Sequence, residues 1–195
     1  MIKLPRLRKS AASSITEPVV RLLARTNITP SILTWLGFAI TIGAAVLIAT
    51  GWLLLAGIVV LLAGFFDMLD GALARYTNQV TRYGAFLDST LDRVAEAMLL
   101  LGVLIWYLFQ PYAVGILLVV VALISAQLVS YIRARAEALD LECQVGLFTR
   151  PERLIVLAIG LLIGQVTIAL GIVILFSLVT IGQRSLHVWK QIKAE

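Results

Sequence analysis

Three stretches of this chain carry no charged side chain: residues 26–66, 97–132 and 154–183, which are 41, 36 and 30 residues long. A helix needs about 20 apolar residues to cross the hydrocarbon core of a bilayer. Runs of this length leave few folds open other than a bundle of membrane-spanning helices. The composition agrees, with 61% hydrophobic and 14% charged residues, outside the range of soluble globular domains.

The first stretch holds two spans, divided near Thr50 and Gly51. The second is cut at Gln110-Pro111-Tyr112, because proline removes a backbone donor and stops a helix. Helices are therefore expected near 30–50, 52–75, 84–109 and 113–137. The last stretch is either one tilted helix or a hairpin turning near Gly164-Gln165, with arms from Pro151 to about Trp189. Loop charge chooses between these. With six spans, Arg75, Arg82, Arg133, Arg135, Arg150, Arg153, Arg184, Lys190 and Lys193 fall on the same side as Lys3, Arg6, Arg8, Lys9, Arg21 and Arg25, and the opposite turns carry no basic residue. The positive-inside rule then predicts an all-α protein of the cell (inner) membrane with six transmembrane helices, both termini being cytoplasmic. The net charge of +5 belongs to the membrane surface, so lipids are expected partners and nucleic acid is not.

The basic N-terminus precedes an apolar run as in a signal peptide, but this run is too long and feeds further spans, so cleavage is not expected. Residues 16–26 read as a short amphipathic surface helix: Thr16 can cap, Pro18 suits a first turn, and Val19, Leu22 and Leu23 form an apolar stripe opposite Arg21 and Arg25. The chain thus divides into a basic juxtamembrane segment, 1–28, and a six-helix domain, 29–195. Cys143 is the single cysteine, which excludes an intrachain disulfide. Trp52, Trp106 and Tyr112 read as an aromatic belt, His187 as an interfacial residue, and Gly160 with Gly164 as a small-residue pair that packs either helices or a homodimer.

Against this apolar background stands the pattern Asp67, Asp70, Gly71, Ala74, Arg75, Gly84, Asp88, Asp92. Ionisable groups in membrane segments are rare unless they pair, line a pathway or hold a metal. Asp67 and Asp70 are three apart, Asp88 and Asp92 four apart, so each pair projects from one helix face. The short loop from Tyr76 to Tyr83 makes the two helices antiparallel neighbours, and the four carboxylates meet near the cytoplasmic end. Together in low dielectric they would repel and protonate unless cations intervened. An all-carboxylate set selects magnesium, manganese or calcium; two such ions would neutralise it, and such a pair suits phosphoryl transfer. Gly71, Ala74 and Gly84 leave room for a ligand beside the backbone, and Arg75 can neutralise phosphate. Read structurally instead, the small residues are helix-packing surface, and Arg93 and Glu96 pair with the aspartates in an ionic knot.

The spacing resembles the signature of the CDP-alcohol phosphotransferases, six-helix membrane enzymes that move a phosphatidyl-type group from a CDP-linked lipid to an alcohol and release CMP. All eight signature positions are present. The resemblance implies that Asp67, Asp70, Asp88 and Asp92 hold two Mg2+ ions, with Mn2+ as an alternative, and that Asp92 doubles as the catalytic general base. It further implies that Asp70, Gly71, Ala74, Arg75 and Gly84 help bind the CDP-lipid, CDP-diacylglycerol. Thr29-Pro30-Ser31 followed by Thr34 resembles the family's T-P-N-x-x-T segment, with Ser31 in place of asparagine.

Ser130 to Glu137 and Arg150-Pro151-Glu152-Arg153 are similar to the S-Y-x-K-A-R-A-E and R-P-E-R segments of bacterial phosphatidylinositol phosphate synthases. That likeness implies a phosphorylated acceptor, inositol 1-phosphate, whose phosphate is bound by Arg133, Arg153 and Arg184, with glycerol 3-phosphate as the alternative acceptor. Arg133 departs from the lysine of that pattern, replacing a point charge by a fork. Read without the resemblance, these arginines are topology signals or headgroup anchors, a reading that suits Arg135 and Arg150 best. A small cation transporter, the non-enzymatic alternative, should place acidic groups near mid-membrane within an internal repeat. An intramembrane prenyltransferase should show other aspartate spacings.

Overall fold

The computed structural model describes residues 16–26, 28–110 and 112–193. The basic residues Lys3, Arg6, Arg8 and Lys9, and the break at Pro111, lie outside the described residues. Within them the secondary structure is all helical, with no strand, and residues 138–149 form the longest non-helical connection. A short helix, α1, covers 16–23. It is followed by α2 (Pro30–Ala49), α3 (Leu53–Tyr76), α4 (Arg82–Leu108), α5 (Ala113–Glu137), α6 (Arg150–Leu162) and α7 (Val166–Ile192).

The helix boundaries follow local chemistry. α2 ends on Gly51 and α6 on Gly164, both left-handed at φ +87 and +70, where glycine bears no steric penalty. At each end the next two N–H groups turn back onto orphan carbonyls, Gly51 to Ile48 and Trp52 to Leu47, Gly164 to Leu161 and Gln165 to Gly160. The last uncharged stretch is therefore a hairpin turning where expected, its arms reaching slightly further than Pro151 and Trp189. α4 begins at Arg82, two residues earlier than expected, because the Thr81 side chain accepts the Gly84 N–H at 3.0 Å and caps the first turn.

The principal contacts close into a ring: α2 lies against α3 and α4, α3 against α6, α6 against α7, α7 against α5, and α5 against α4. Ala44 and Ile48, Val60, Leu99 and Val103, Ala122, Leu157 and Leu161, and Leu170 bring all six long helices into one buried cluster. The outside is apolar too, with Val46, Leu54, Ile58, Leu117, Ile124, Ile159 and Leu175 exposed, as suits helices solvated by lipid. α2, α3, α5 and α7 are long and apolar enough to cross a membrane. α4 has the length but carries Asp88, Asp92, Arg93 and Glu96, while α6 has only 13 residues.

α1 rests on the basic end of the ring, where Val20 packs with Leu33 of α2 and with Leu69 and Leu73 of α3, supported by Val19 and Leu23. Of the expected apolar stripe, Val19 and Leu23 support this contact, while Leu22 is 66% exposed. The helix also stops at 23 rather than 26, residues 24–26 forming a turn.

Apolar helices gain no hydrophobic drive by leaving lipid for each other, so close van der Waals packing carries their association. Small residues sit at the crossings. Gly160 faces Ala169 of α7, which places it at a contact within the chain. A Cβ on Gly102 of α4 would stand 2.5 Å from the Ala45 carbonyl oxygen of α2, whereas one on Gly43 meets nothing within 4 Å. Gly102→Ala is expected to destabilise the detergent-solubilised protein by about 1–3 kcal/mol. Gly43→Ala should be neutral or stabilising by up to about 1 kcal/mol; thermal unfolding of the two variants side by side measures the difference.

Candidate active site

Asp67 and Asp70 leave one face near the C-terminal end of α3, and Asp88 and Asp92 one face in the first half of α4. The hairpin at 77–81 brings the two faces together. One carboxylate oxygen from each of Asp67, Asp70 and Asp88 lies within 4.8 Å of the other two. Asp70 is 5% exposed. Its Oδ2 is buried without a partner, and Thr34 of α2, whose hydroxyl donates to the Pro30 carbonyl at 3.2 Å, stands in the same cleft. A buried carboxylate oxygen facing two further carboxylates is costly on its own and is relieved by a hard cation, for which an all-oxygen donor set is suited. The residues present thus fit a divalent metal.

Asp92 is not one of that trio and is joined to it through Arg150. Nη1 of Arg150 lies 2.6 Å from Asp92 Oδ1 and 2.9 Å from Asp67 Oδ2, placing one guanidinium between the acidic faces of α3 and α4. Arg150 is the first residue of α6. Its position follows from a capping box between Thr149 and Glu152, in which the Thr149 N–H donates to Glu152 Oε2 at 2.8 Å, and from Pro151 in the first turn. The sequence reading had Arg150 as a topology signal; the fold puts it in the site. A narrow cleft adjoins these groups, with Thr34, Asp67, Asp70, Asp92 and Arg150 at its polar wall and Val60, Leu99 and Leu154 on its apolar side.

Gly71, Ala74, Arg75 and Gly84 gather at the same end. The Arg75 guanidinium folds back over Gly71, where a Cβ would sit 3.3 Å from Nη1. A Cβ on Gly84 would come 3.0 Å from the capping Thr81 hydroxyl, so the residue serves the start of α4 as well as leaving space.

The three arginines expected at the acceptor differ in surroundings. Arg153 is 2% exposed and forks onto Glu96, Nε to Oε1 at 2.5 Å and Nη2 to Oε2 at 2.8 Å, leaving Nη1 buried and unpartnered. Arg184 is buried, its Nε donating to the Val145 carbonyl at 2.9 Å and its Nη1 to the Val129 carbonyl. Arg133 is exposed and bonds Glu137 at 2.8 Å. Each of the three is thus engaged with protein acceptors. The ionic knot of Arg93 and Glu96 with the aspartates does not form, since Glu96 pairs with Arg153 and Arg93 Nη1 donates to the Ser89 carbonyl. The signal for Arg150 and Glu96 was present but weak. Arg150 and Arg153 share one face at spacing three, and Glu96 follows Asp92 by four.

Residues 27–183 match the sequence model of CDP-alcohol phosphatidyltransferase. The chain is 41% identical over 165 residues to the phosphatidylinositol phosphate synthase of Mycobacterium tuberculosis, covering 82% of this chain and 75% of that one. It is 36% identical over 167 residues to the archaetidylinositol phosphate synthase of Methanothermobacter thermautotrophicus, covering 83% of each. The crystal structure of the M. tuberculosis phosphatidylinositol phosphate synthase with CDP-DAG bound is similar at a TM-score of 0.82 and 34% identity, over 90% of this chain and 94% of that one. The same enzyme in complex with manganese and citrate also gives 0.82 at 34% identity, over 89% and 88%. With a match running from the residues before α2 to the last turns of α7, this chain belongs to the CDP-alcohol phosphatidyltransferase family.

Proposed function

We propose that this protein transfers a phosphatidyl group from CDP-diacylglycerol to inositol 1-phosphate, giving phosphatidylinositol phosphate and CMP. The observation that carries the reading is the meeting of Asp67, Asp70 and Asp88 oxygens within 4.8 Å beside a narrow cleft. Relatives named for phosphatidylinositol phosphate and archaetidylinositol phosphate synthesis support the acceptor, and a similar structure with CDP-DAG supports the donor.

Asp67, Asp70, Asp88 and Asp92 would hold two divalent ions, magnesium or manganese, which when bound supply positive charge against the donor's diphosphate. Gly71, Ala74 and Gly84 leave the nucleotide room, Arg75 faces its phosphates and Asp70 borders it. Arg133, Arg153 and Arg184 receive the acceptor's phosphate through charge-assisted bonds, with the free Nη1 of Arg153 the donor available for it. As the acceptor hydroxyl oxygen attacks the lipid-bearing phosphorus, its proton passes to the Asp92 carboxylate. The bond from that phosphorus to the CMP oxygen breaks, and CMP leaves with the bonding electrons. Transfer is direct: Ser89 and Thr90, the hydroxyls nearest in sequence to Asp88 and Asp92, both donate to the Phe86 carbonyl and offer no activated nucleophile.

In this reading α2 to α7 make the six passes of the cell membrane, the polar end of α4 and the short α6 being enclosed by the ring. The basic juxtamembrane segment 1–28, with α1, lies on the cytoplasmic face together with both termini and the site, residues 29–195 form the catalytic domain, and the protein works as a homodimer.

Asparagine in place of Asp67, Asp70, Asp88 or Asp92 should lower turnover about hundredfold or more while the variants elute and unfold like folded protein. Chelation should abolish activity, and Mg2+ or Mn2+ should restore it. Full activity in the Asp70→Asn or Asp88→Asn variant would exclude the metal reading.

Purified enzyme with CDP-diacylglycerol should turn over inositol 1-phosphate and ignore free inositol and serine; use of an unphosphorylated alcohol removes the acceptor assignment. Glycerol 3-phosphate, which shares the phosphate but lacks the ring hydroxyls, is the stringent competitor.

Arg153→Ala strands Glu96 as a buried charge and should cost about 3–5 kcal/mol of stability, part of which Glu96→Gln in the same chain should restore in thermal unfolding. Arg153→Lys is therefore the better functional probe. Losing the fork but not the charge, it should raise the acceptor KM about tenfold and leave the donor KM unchanged.

A further inference from the structure

Arg150 occupies ground that the metal reading needs. Its single Nη1 bridges Asp67 Oδ2 and Asp92 Oδ1, while the three oxygens already gathered for an ion come from Asp67, Asp70 and Asp88 without Asp92. The four carboxylates are thus divided. One cation position is assembled in advance, and the other, which requires Asp92, is held by a guanidinium. A divalent ion drawn to Asp67 and Asp92 together would meet that positive charge at contact distance, where like charges in a partly buried site repel strongly. The guanidinium itself is held incompletely, since its Nε is buried with no partner. Its backbone is pinned by the Thr149–Glu152 capping box, so only the side chain is free to relocate. The anion able to draw it off is a diphosphate, which accepts a forked guanidinium well.

We propose that Arg150 is a resident competitor for the second divalent ion, giving up Asp67 and Asp92 when the diphosphate of the donor takes its guanidinium. This rests on the transferase reading above. The first ion binds alone, whereas the second ion and the nucleotide bind together, each raising the other's affinity by the same factor.

The test is a Mn2+ titration of the detergent-purified chain, following free Mn2+ by electron paramagnetic resonance, with and without CDP as the soluble diphosphate-bearing part of the donor, the Mn2+ taken up by CDP alone being measured in a protein-free titration and subtracted. The wild type should take up a single tight ion without CDP and a second with it, the second about 10- to 100-fold tighter than in the absence of CDP. Arg150→Gln should bind both ions without CDP, and CDP should tighten the second by a smaller factor than in the wild type, the remainder being direct ligation of the ion by the diphosphate. A folded Arg150→Gln chain that titrates like the wild type overturns the inference, as does one with weaker Mn2+ binding. Two equally tight ions in the wild type without CDP overturn it as well, a result that needs no variant and leaves the transferase reading standing. A wild-type chain that takes up no Mn2+ under either condition overturns the metal reading itself.

Discussion

The guanidinium of Arg150, shared between Asp67 and Asp92, ties together three helices at the one end of the bundle where acidic groups gather. Each of those carboxylates would be unstable alone in this partly dry setting, so their convergence depends on a cation being delivered among them by the fold. α6 delivers it. The helix begins at that point because of its capping box, and its third residue beyond Arg150, Arg153, points the same way toward Glu96. Principal contacts of α4 are with α2 and α5, and those of α6 with α3 and α7. The ion pairs Arg150–Asp92 and Arg153–Glu96 therefore cross the ring and join helices that are not main packing partners. They close the basic end from inside while the apolar cluster fills the rest.

That arrangement separates two demands that would otherwise conflict. Helix association in lipid requires intimate contact, met by small residues such as Gly102 against the Ala45 backbone and Gly160 against Ala169. A site for a charged substrate requires space, left near the aspartates by a narrow cleft beside α2, α3, α4 and α6. Glycines serve both demands. Gly84 shows how closely they are linked, because the residue expected to leave room for nucleotide is also the one whose N–H completes the cap of α4.

Much of the fold was legible before any coordinates. The break at Thr50-Gly51 and the turn at Gly164-Gln165 were read correctly because a left-handed glycine after an apolar run is a local signal, decided by the sterics of a few residues. The aspartate spacings are a signal of the same local kind, since spacings of three and four define a helix face, and oxygens of Asp67, Asp70 and Asp88 do come together. What a partner elsewhere in the chain decides was not legible. Val20 and Leu22 lie on opposite sides of the short helix, and it is the positions of Leu33, Leu69 and Leu73 that put Val20 against the bundle. For Gly160 the sequence leaves a helix contact and a dimer contact both open, and in the fold Ala169 of α7 lies against it.

The sequence by itself determined the helical class, the length and limits of the apolar helices, the clustering of basic residues at one end and the family signature from Asp67 to Asp92. All of these follow from hydropathy, helical periodicity and local backbone sterics acting over a few residues. Only the tertiary structure decided which charges meet. Arg150 and Asp67 are separated by 83 residues and Arg153 and Glu96 by 57, and no periodicity relates residues so far apart. Their pairing follows from the order of helices around the ring, which places the start of α6 opposite the acidic half of α4. There a charge far from water must find its opposite across the bundle.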